Sequence, residues 1–134
     1  MDQRTMRFIP HVLPVVAGTE VRFLNSDPTQ HNVFSPDGEK YNLGTWPQGQ
    51  VKSFQFNDLG AAPLLCNVHP EMSGYVIVAP TPYFAVSDKD GNFDIKNVPP
   101  GHYTLTTWSE EGKPTTQAVD VVAESATVTL TVKK

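Results

Sequence analysis

One cysteine, Cys66, stands in 134 residues, so no disulfide can form within the chain and the fold must be held by packing or by a bound group. The cysteine count therefore carries no information about the redox compartment. Basic residues are in the minority: ten Lys and Arg against fourteen Asp and Glu give a net charge of −4 and a pI near 5.4. With no basic run to neutralise phosphates, nucleic acid is excluded as a partner class. No apolar run is long enough to cross a bilayer as a helix, and the polar start Met1-Asp2-Gln3-Arg4 does not read as a signal peptide. Helical periodicity is missing as well.

The sequence consists instead of short apolar or alternating runs punctuated by Gly, Pro and Asn, the pattern of an all-β sandwich or barrel. A hydrophobic fraction of 39% lets a chain of this length bury a core. The pattern predicts strands at 7–9, 12–16, 20–25, 32–34, 51–56, 63–66 and 75–78. Between them, Pro36-Asp37-Gly38, Trp46-Pro47-Gln48-Gly49 and Asp58-Leu59-Gly60 place residues that fix or relax the backbone where the chain must reverse. Pro80-Thr81-Pro82 interrupts the series, dividing the chain into units 1–80 and 81–134. In the second unit, strands are expected at 83–86, 92–96, 103–108, 117–122 and 127–132. Alternation is clear in Tyr103-Thr104-Leu105-Thr106. Trp46, Trp108, Phe23, Phe54, Phe56 and Phe93 are the expected large core residues.

The chemistry concentrates in Cys66-Asn67-Val68-His69-Pro70-Glu71-Met72, which puts a thiol, an imidazole and a thioether within one turn of chain. These soft donors suit copper, and a trigonal site of two His and one Cys with a weak axial Met lacks only a second histidine. His31, in Asp27-Pro28-Thr29-Gln30-His31-Asn32-Val33, supplies it. Taken one at a time, Cys66 reads as a buried hydrophobe and His31 or Met72 as surface or packing residues. Zinc is the competing metal, although thioether is a poor zinc ligand and paired Cys-x-x-Cys spacing is absent. A c-type haem needs a second cysteine. A Cys66–His69 nucleophilic pair would need an activating environment and an oxyanion site, which no feature supplies.

Taken together, Phe8-Ile9-Pro10, the run Val15 to Phe23, His31-Asn32-Val33 and Cys66-x-x-His69-x-x-Met72 make residues 5 to 80 resemble the cupredoxins, the plastocyanin and amicyanin superfamily, with a ligand loop of the short amicyanin type. The resemblance implies a Greek-key β-sandwich around one mononuclear type 1 copper. His31, Cys66 and His69 would be in-plane ligands, Met72 the axial one, and Asn32 would tie the two ligand segments by hydrogen bonds. It implies outer-sphere electron transfer with no substrate bond made or broken, hence no catalytic residue and no enzyme. A redox protein such as a c-type cytochrome, oxidase or dehydrogenase would meet the surface around Pro70 and Met72. Location would be periplasmic or extracellular. A copper-handling protein with a docking module is the rival reading.

Residues 81–134 resemble the carboxypeptidase-regulatory or transthyretin-like fold through Asp90-Gly91-Asn92-Phe93 and Val98-Pro99-Pro100-Gly101-His102-Tyr103-Thr104-Leu105, which implies a small transthyretin-like sandwich. Two departures stand out. Glu71 occupies a position where related sequences often carry Trp, and Trp108 is followed by Ser109 rather than His. His11 and His102 are expected to be exposed strand histidines, and Asp88-Lys89-Asp90-Gly91 a hairpin turn rather than a calcium loop.

Overall fold

Strand β4 (Thr19–Asn25) displays the rule by which the chain is layered. Val21, Phe23 and Asn25 are buried while Glu20, Arg22 and Leu24 are exposed, the period of two that a strand shows when one of its faces meets water. In the computed structural model, which describes residues 1–36 and 41–122, β4 lies in a four-stranded sheet of order β2-β1-β4-β7, with β1 Asp2–Arg4, β2 Arg7–Ile9 and β7 Val51–Phe56. A five-stranded sheet of order β3-β9-β8-β5-β6 contains β3 Val12–Val16, β5 His31–Ser35, β6 Tyr41–Trp46, β8 Gly60–Leu65 and β9 Ser73–Ala79. Phe8, Val21, Phe23 and Phe56 from the first sheet share one core with Val33, Trp46, Leu64, Val76 and Val78 from the second. These strands belong to a compact unit, Met1–Asp94, and Ile95–Lys134 forms another.

The chain changes sheets at Pro10. Lacking an amide donor, Pro10 ends the β1–β2 ladder, and β3 resumes on the other sheet in parallel with β9, Val12 opposite Tyr75. Pro14 is tolerated inside β3 because that strand lies at a sheet edge. At the next reversal Gly18 has φ 91°, a conformation that costs glycine little.

The predicted strands of the first unit all form: 7–9, 12–16 and 51–56 have the expected bounds, the other four are one to three residues longer, and the strand expected at 63–66 runs from Gly60 to Leu65, leaving Cys66 just outside it. Two further strands were not anticipated. β1 reads Asp2-Gln3-Arg4 and has no apolar signal. It forms because its backbone fills the slot between β2 and β4, pairing antiparallel with one and parallel with the other. β6 is interrupted in sequence by Asn42 and by Gly44 with φ 80°, yet pairs with β5 across a register shift between Asn32 and Phe34.

In the second unit, β10 (Gly101–Thr106) and β11 (Thr116–Val121) form an antiparallel hairpin with Tyr103 opposite Val119. β10 alternates half-buried Gly101, Tyr103 and Leu105 with exposed partners, as its sequence predicts. The expected strand 127–132 lies outside the described residues, as does most of the Pro36-Asp37-Gly38 turn. Residues 83–86 and 92–96 are not strands. Between them lies a tight turn in which the Asp88 carboxylate accepts the Asp90 and Asn92 amides at 2.9 Å each. Phe93 is 36% exposed rather than a core residue, and Trp108 is half-buried.

Gly74 marks a close approach of backbones. A Cβ there would meet the Phe8 Cβ at 3.0 Å and the His11 carbonyl oxygen at 3.1 Å. Replacing it with alanine is expected to cost about 1–3 kcal/mol through overpacking, seen as a lower urea midpoint with an unchanged m-value. A wild-type midpoint would contradict the contact.

Candidate metal centre

β8 ends at Leu65, and the next residue, Cys66, is 1% exposed. The chain then turns through 67–71, the Met72 amide donating to the His69 carbonyl at 3.0 Å, and re-enters the sheet as β9. A turn of this length can present Cys66, His69 and Met72 from a single segment. His31 opens β5, which lies beside β8 with Phe34 opposite Leu65. Strand pairing therefore carries a residue far away in sequence to the mouth of the loop.

One donor atom from each of His31, Cys66 and His69 lies within 4.8 Å of the others. His31 Nδ1 is 3.9 Å from Cys66 Sγ and 3.1 Å from His69 Nδ1. Two imidazole nitrogens so close cannot both present bare lone pairs to each other; a proton or a cation must lie between them. A thiol and two imidazoles converging in this way form a soft donor set suited to copper. His31 is fully buried and His69 half-buried. Met72 is 1% exposed at the exit of the same turn.

Polar contacts behind the donors hold them. The Asn32 amide donates to Cys66 Sγ at 3.4 Å, and its side-chain Oδ1 accepts the Asn67 amide at 3.2 Å. Asn32 Nδ2 donates to Asn42 Oδ1 and to the Gly44 carbonyl, each at 2.8 Å. Asn32 thus ties β5, which carries His31, to the Cys66 loop, as the resemblance implied. His31 Nε2 lies 2.7 Å from Asp27 Oδ2. An ionised carboxylate has no proton to offer, so Nε2 carries the hydrogen and Nδ1 is left as the bare donor. Burial alone would raise the Asp27 pKa, but hydrogen bonds from His31, Met6 and Thr5 bring the carboxyl below its ordinary range.

Asp27 was not singled out from sequence, although its place four residues before His31 and just after a strand was the available signal. Gln3 was missed too. It is fully buried, and its Nε2 donates to the Asn32 carbonyl at 3.2 Å. His11 sits in the bend between β2 and β3 rather than in a strand, exposed and edge-on to Tyr75 at 5.9 Å. With Arg7 and Glu71 it borders a cleft of about 330 Å³ against Met72. His102 is exposed on β10, with Nδ1 at 2.5 Å from Asp120 Oδ1.

The chain is similar in structure to the Cu(I) form of an amicyanin variant, at 27% identity over 58% of this chain and 78% of amicyanin, with a TM-score of 0.55. A purple cupredoxin from Nitrosopumilus maritimus matches at 26% identity, over 57% of this chain and 85% of the other, with a TM-score of 0.53. A copper-containing nitrite reductase from Thermus scotoductus matches at 24% identity, over 58% of this chain and 21% of the other, with a TM-score of 0.55, which is a likeness of fold alone. The family model of the carboxypeptidase regulatory-like domain matches residues 71–133. No curated protein matches the chain. The structural neighbours are thus amicyanin and other cupredoxins, copper proteins of all-β sandwich fold, and the His31, Cys66 and His69 cluster fits a type 1 copper site.

Asn32→Ala should lower apo-protein stability by about 1–3 kcal/mol, because the Asn67 amide and the Gly44 carbonyl lose their partner. Thermal unfolding reads the loss, and hydrogen exchange at the Asn67 amide should accelerate. An unchanged melting temperature with Asn67 still protected would show that the tie carries no load.

Proposed function

We propose that this protein is a one-electron carrier built on a mononuclear type 1 copper site, which His31, Cys66, His69 and Met72 would hold. The observation that carries the proposal is the convergence of a buried thiol and two imidazoles, with His31 Nδ1 3.9 Å from Cys66 Sγ and 3.1 Å from His69 Nδ1, in a sandwich whose structural neighbours are cupredoxins. Copper bound there would supply a couple between Cu(I) and Cu(II).

The chain's own residues perform the rest. Cys66 would offer its sulfur to the metal, with the Asn32 amide donating to the same atom at 3.4 Å. His31 is held by a buried carboxylate, and Met72 closes the loop from within the core. Donors locked by strands and hydrogen bonds move little when the charge changes, which keeps reorganisation small. His69 turns its Nδ1 toward the cluster, leaving Nε2 on the opposite edge of a half-buried ring. Val68, 42% exposed, and exposed Pro70 and Glu71 flank it.

That rim is the proposed docking face for a redox protein, of which a c-type cytochrome, an oxidase or a dehydrogenase is the expected kind. Encounter surfaces of this class are small. The carrier reading, with no substrate chemistry, follows the amicyanin likeness; the nitrite reductase shares only the fold. A periplasmic or extracellular location accords with the cupredoxin neighbours. No helix among the described residues is long and apolar enough to cross a membrane. Under this reading the copper unit, read from sequence as 1–80, lies within the compact unit Met1–Asp94, and the appended carboxypeptidase regulatory-like unit, read as 81–134, has its own compact part from Ile95 onward.

Cu(II) added to the apo-protein should produce an intense thiolate-to-copper band, bleached reversibly by reductant and lost in Cys66→Ala. Met72→Leu should keep the band and shift the reduction potential, since a weakly bound thioether would tune it. Weak d–d absorption unaffected by the Cys66 substitution would refute the ligand set. Slow electron self-exchange with ready copper release would favour copper handling instead.

A further inference from the structure

The turn joining β1 to β2 is made of Thr5 (φ 52°) and Met6 (φ 59°). Two consecutive residues with positive φ are what a two-residue hairpin demands, and Asn-Gly is the pair that meets the demand without strain. A β-branched threonine in that conformation is an outlier that persists only where its surroundings over-determine it. Here the determinant is the Asp27 carboxylate. The Thr5 amide donates to Asp27 Oδ1 at 2.7 Å, and the Met6 amide to Oδ2 at 3.0 Å.

The same Oδ2 accepts from His31 Nε2 at 2.7 Å. Asp27 is only 6% exposed, and its own amide is held by Asn25 Oδ1 at 2.9 Å. With the turn amides pinning both oxygens, the carboxylate has one orientation, and that orientation points at His31. The hairpin grips the neighbouring segments at two further points. Gln3 of β1 donates to the Asn32 carbonyl, and Phe8 of β2 lies against Gly74, just beyond Met72.

We infer that the β1–β2 hairpin is a positioning device for the metal centre: the Thr5 and Met6 amides orient Asp27, and Asp27 in turn fixes the ring and the tautomer of His31. The inference rests on reading His31 as a copper ligand, but its core claim concerns the apo-protein. His31 should be held as the Nε2–H tautomer with Nδ1 bare toward Cys66 and His69. Loosening the turn frees the carboxylate to rotate, and the imidazole then loses both its fixed plane and its preferred tautomer. A change in the N-terminal hairpin is thereby felt at a ligand it does not touch.

The test compares uniformly ¹⁵N-labelled apo-protein with Asp27→Ala, Thr5→Pro and the double variant Thr5→Asn/Met6→Gly. Thr5→Pro removes one amide donor and forbids the positive φ, whereas the double variant supplies the residues such a turn favours and keeps both amides. Long-range imidazole ¹H–¹⁵N correlations read the tautomer directly, and backbone amide spectra report that each variant is folded. Wild type and the double variant should show His31 as Nε2–H alone, while Asp27→Ala and Thr5→Pro should show mixed tautomers. Copper affinity should follow the same division, falling about 10- to 100-fold in the latter pair, the usual range when a partner behind a ligand is removed.

A folded Thr5→Pro protein that keeps the single tautomer would overturn the inference, as would its loss in the double variant. Wild-type hydrogen exchange gives an arm independent of any variant: fast exchange at the Thr5 and Met6 amides would overturn it as well. Because the tautomer is read without metal, a wild type that shows the expected tautomer but refuses copper would support the positioning role and sink the copper reading instead.

Discussion

A fully buried imidazole must find a partner for each of its two nitrogens, and the way His31 does so organises the site. Nε2 is committed to the Asp27 carboxylate at 2.7 Å, which leaves Nδ1 to face Cys66 Sγ and His69 Nδ1. Either commitment alone would be expensive in a dry interior. A lone carboxylate there would take up a proton, and a lone pair with nothing to meet would cost its lost hydration. Asp27 is made tolerable by two backbone amides in addition to His31, and the Nδ1 cluster by its capacity to hold a cation. Each feature of the surrounding fold can be traced to one side or the other of this ring.

On the metal side, the pairing of β5 with β8 delivers His31 to the loop after Cys66, and Asn32 fastens the two together through its amide and its Oδ1, while its Nδ2 holds β6. On the carboxylate side, the N-terminal hairpin closes over Asp27. The sheets beneath are ordinary by comparison. An apolar core of Phe23, Phe56, Trp46, Leu64 and Val76 supplies the bulk of the stabilisation through burial and makes the polar network affordable. The second unit contributes a hairpin, β10–β11, whose half-buried residues alternate as a strand's should.

Much of this was legible in the sequence because it is local. Cys66, His69 and Met72 sit at intervals of three, so they come together in any tight turn, and their softness names a class of metal without reference to a fold. The strands of the first unit are legible for a similar reason: a one-sided sheet imposes alternation, which Thr19 to Asn25 writes out, and Tyr75 to Ala79 is a short apolar run of strand length. His31 was reached by a different route. Its distance from Cys66 in sequence is uninformative, and only its place after a strand-like run, matched to a known ligand pattern, made it a candidate.

What the tertiary structure alone decided is the set of contacts between segments that say nothing about each other in sequence. β1 is polar and becomes a strand because two neighbours offer it backbone partners. Gln3 is buried because that slot lies against Asn32. Thr5 and Met6 are poor residues for their turn, and a carboxylate from another loop makes the turn possible. The failures run the same way, since 83–86 and 92–96 carry strand-like residues but no ladder forms there, and Phe93 stays exposed. By itself the sequence determined which donors are present and which of them share a turn, because short spacing fixes proximity. The fold decided which nitrogen of His31 is free, what holds it, and how much of His69 meets solvent, because those depend on hydrogen bonds and burial between strands that only folding brings together.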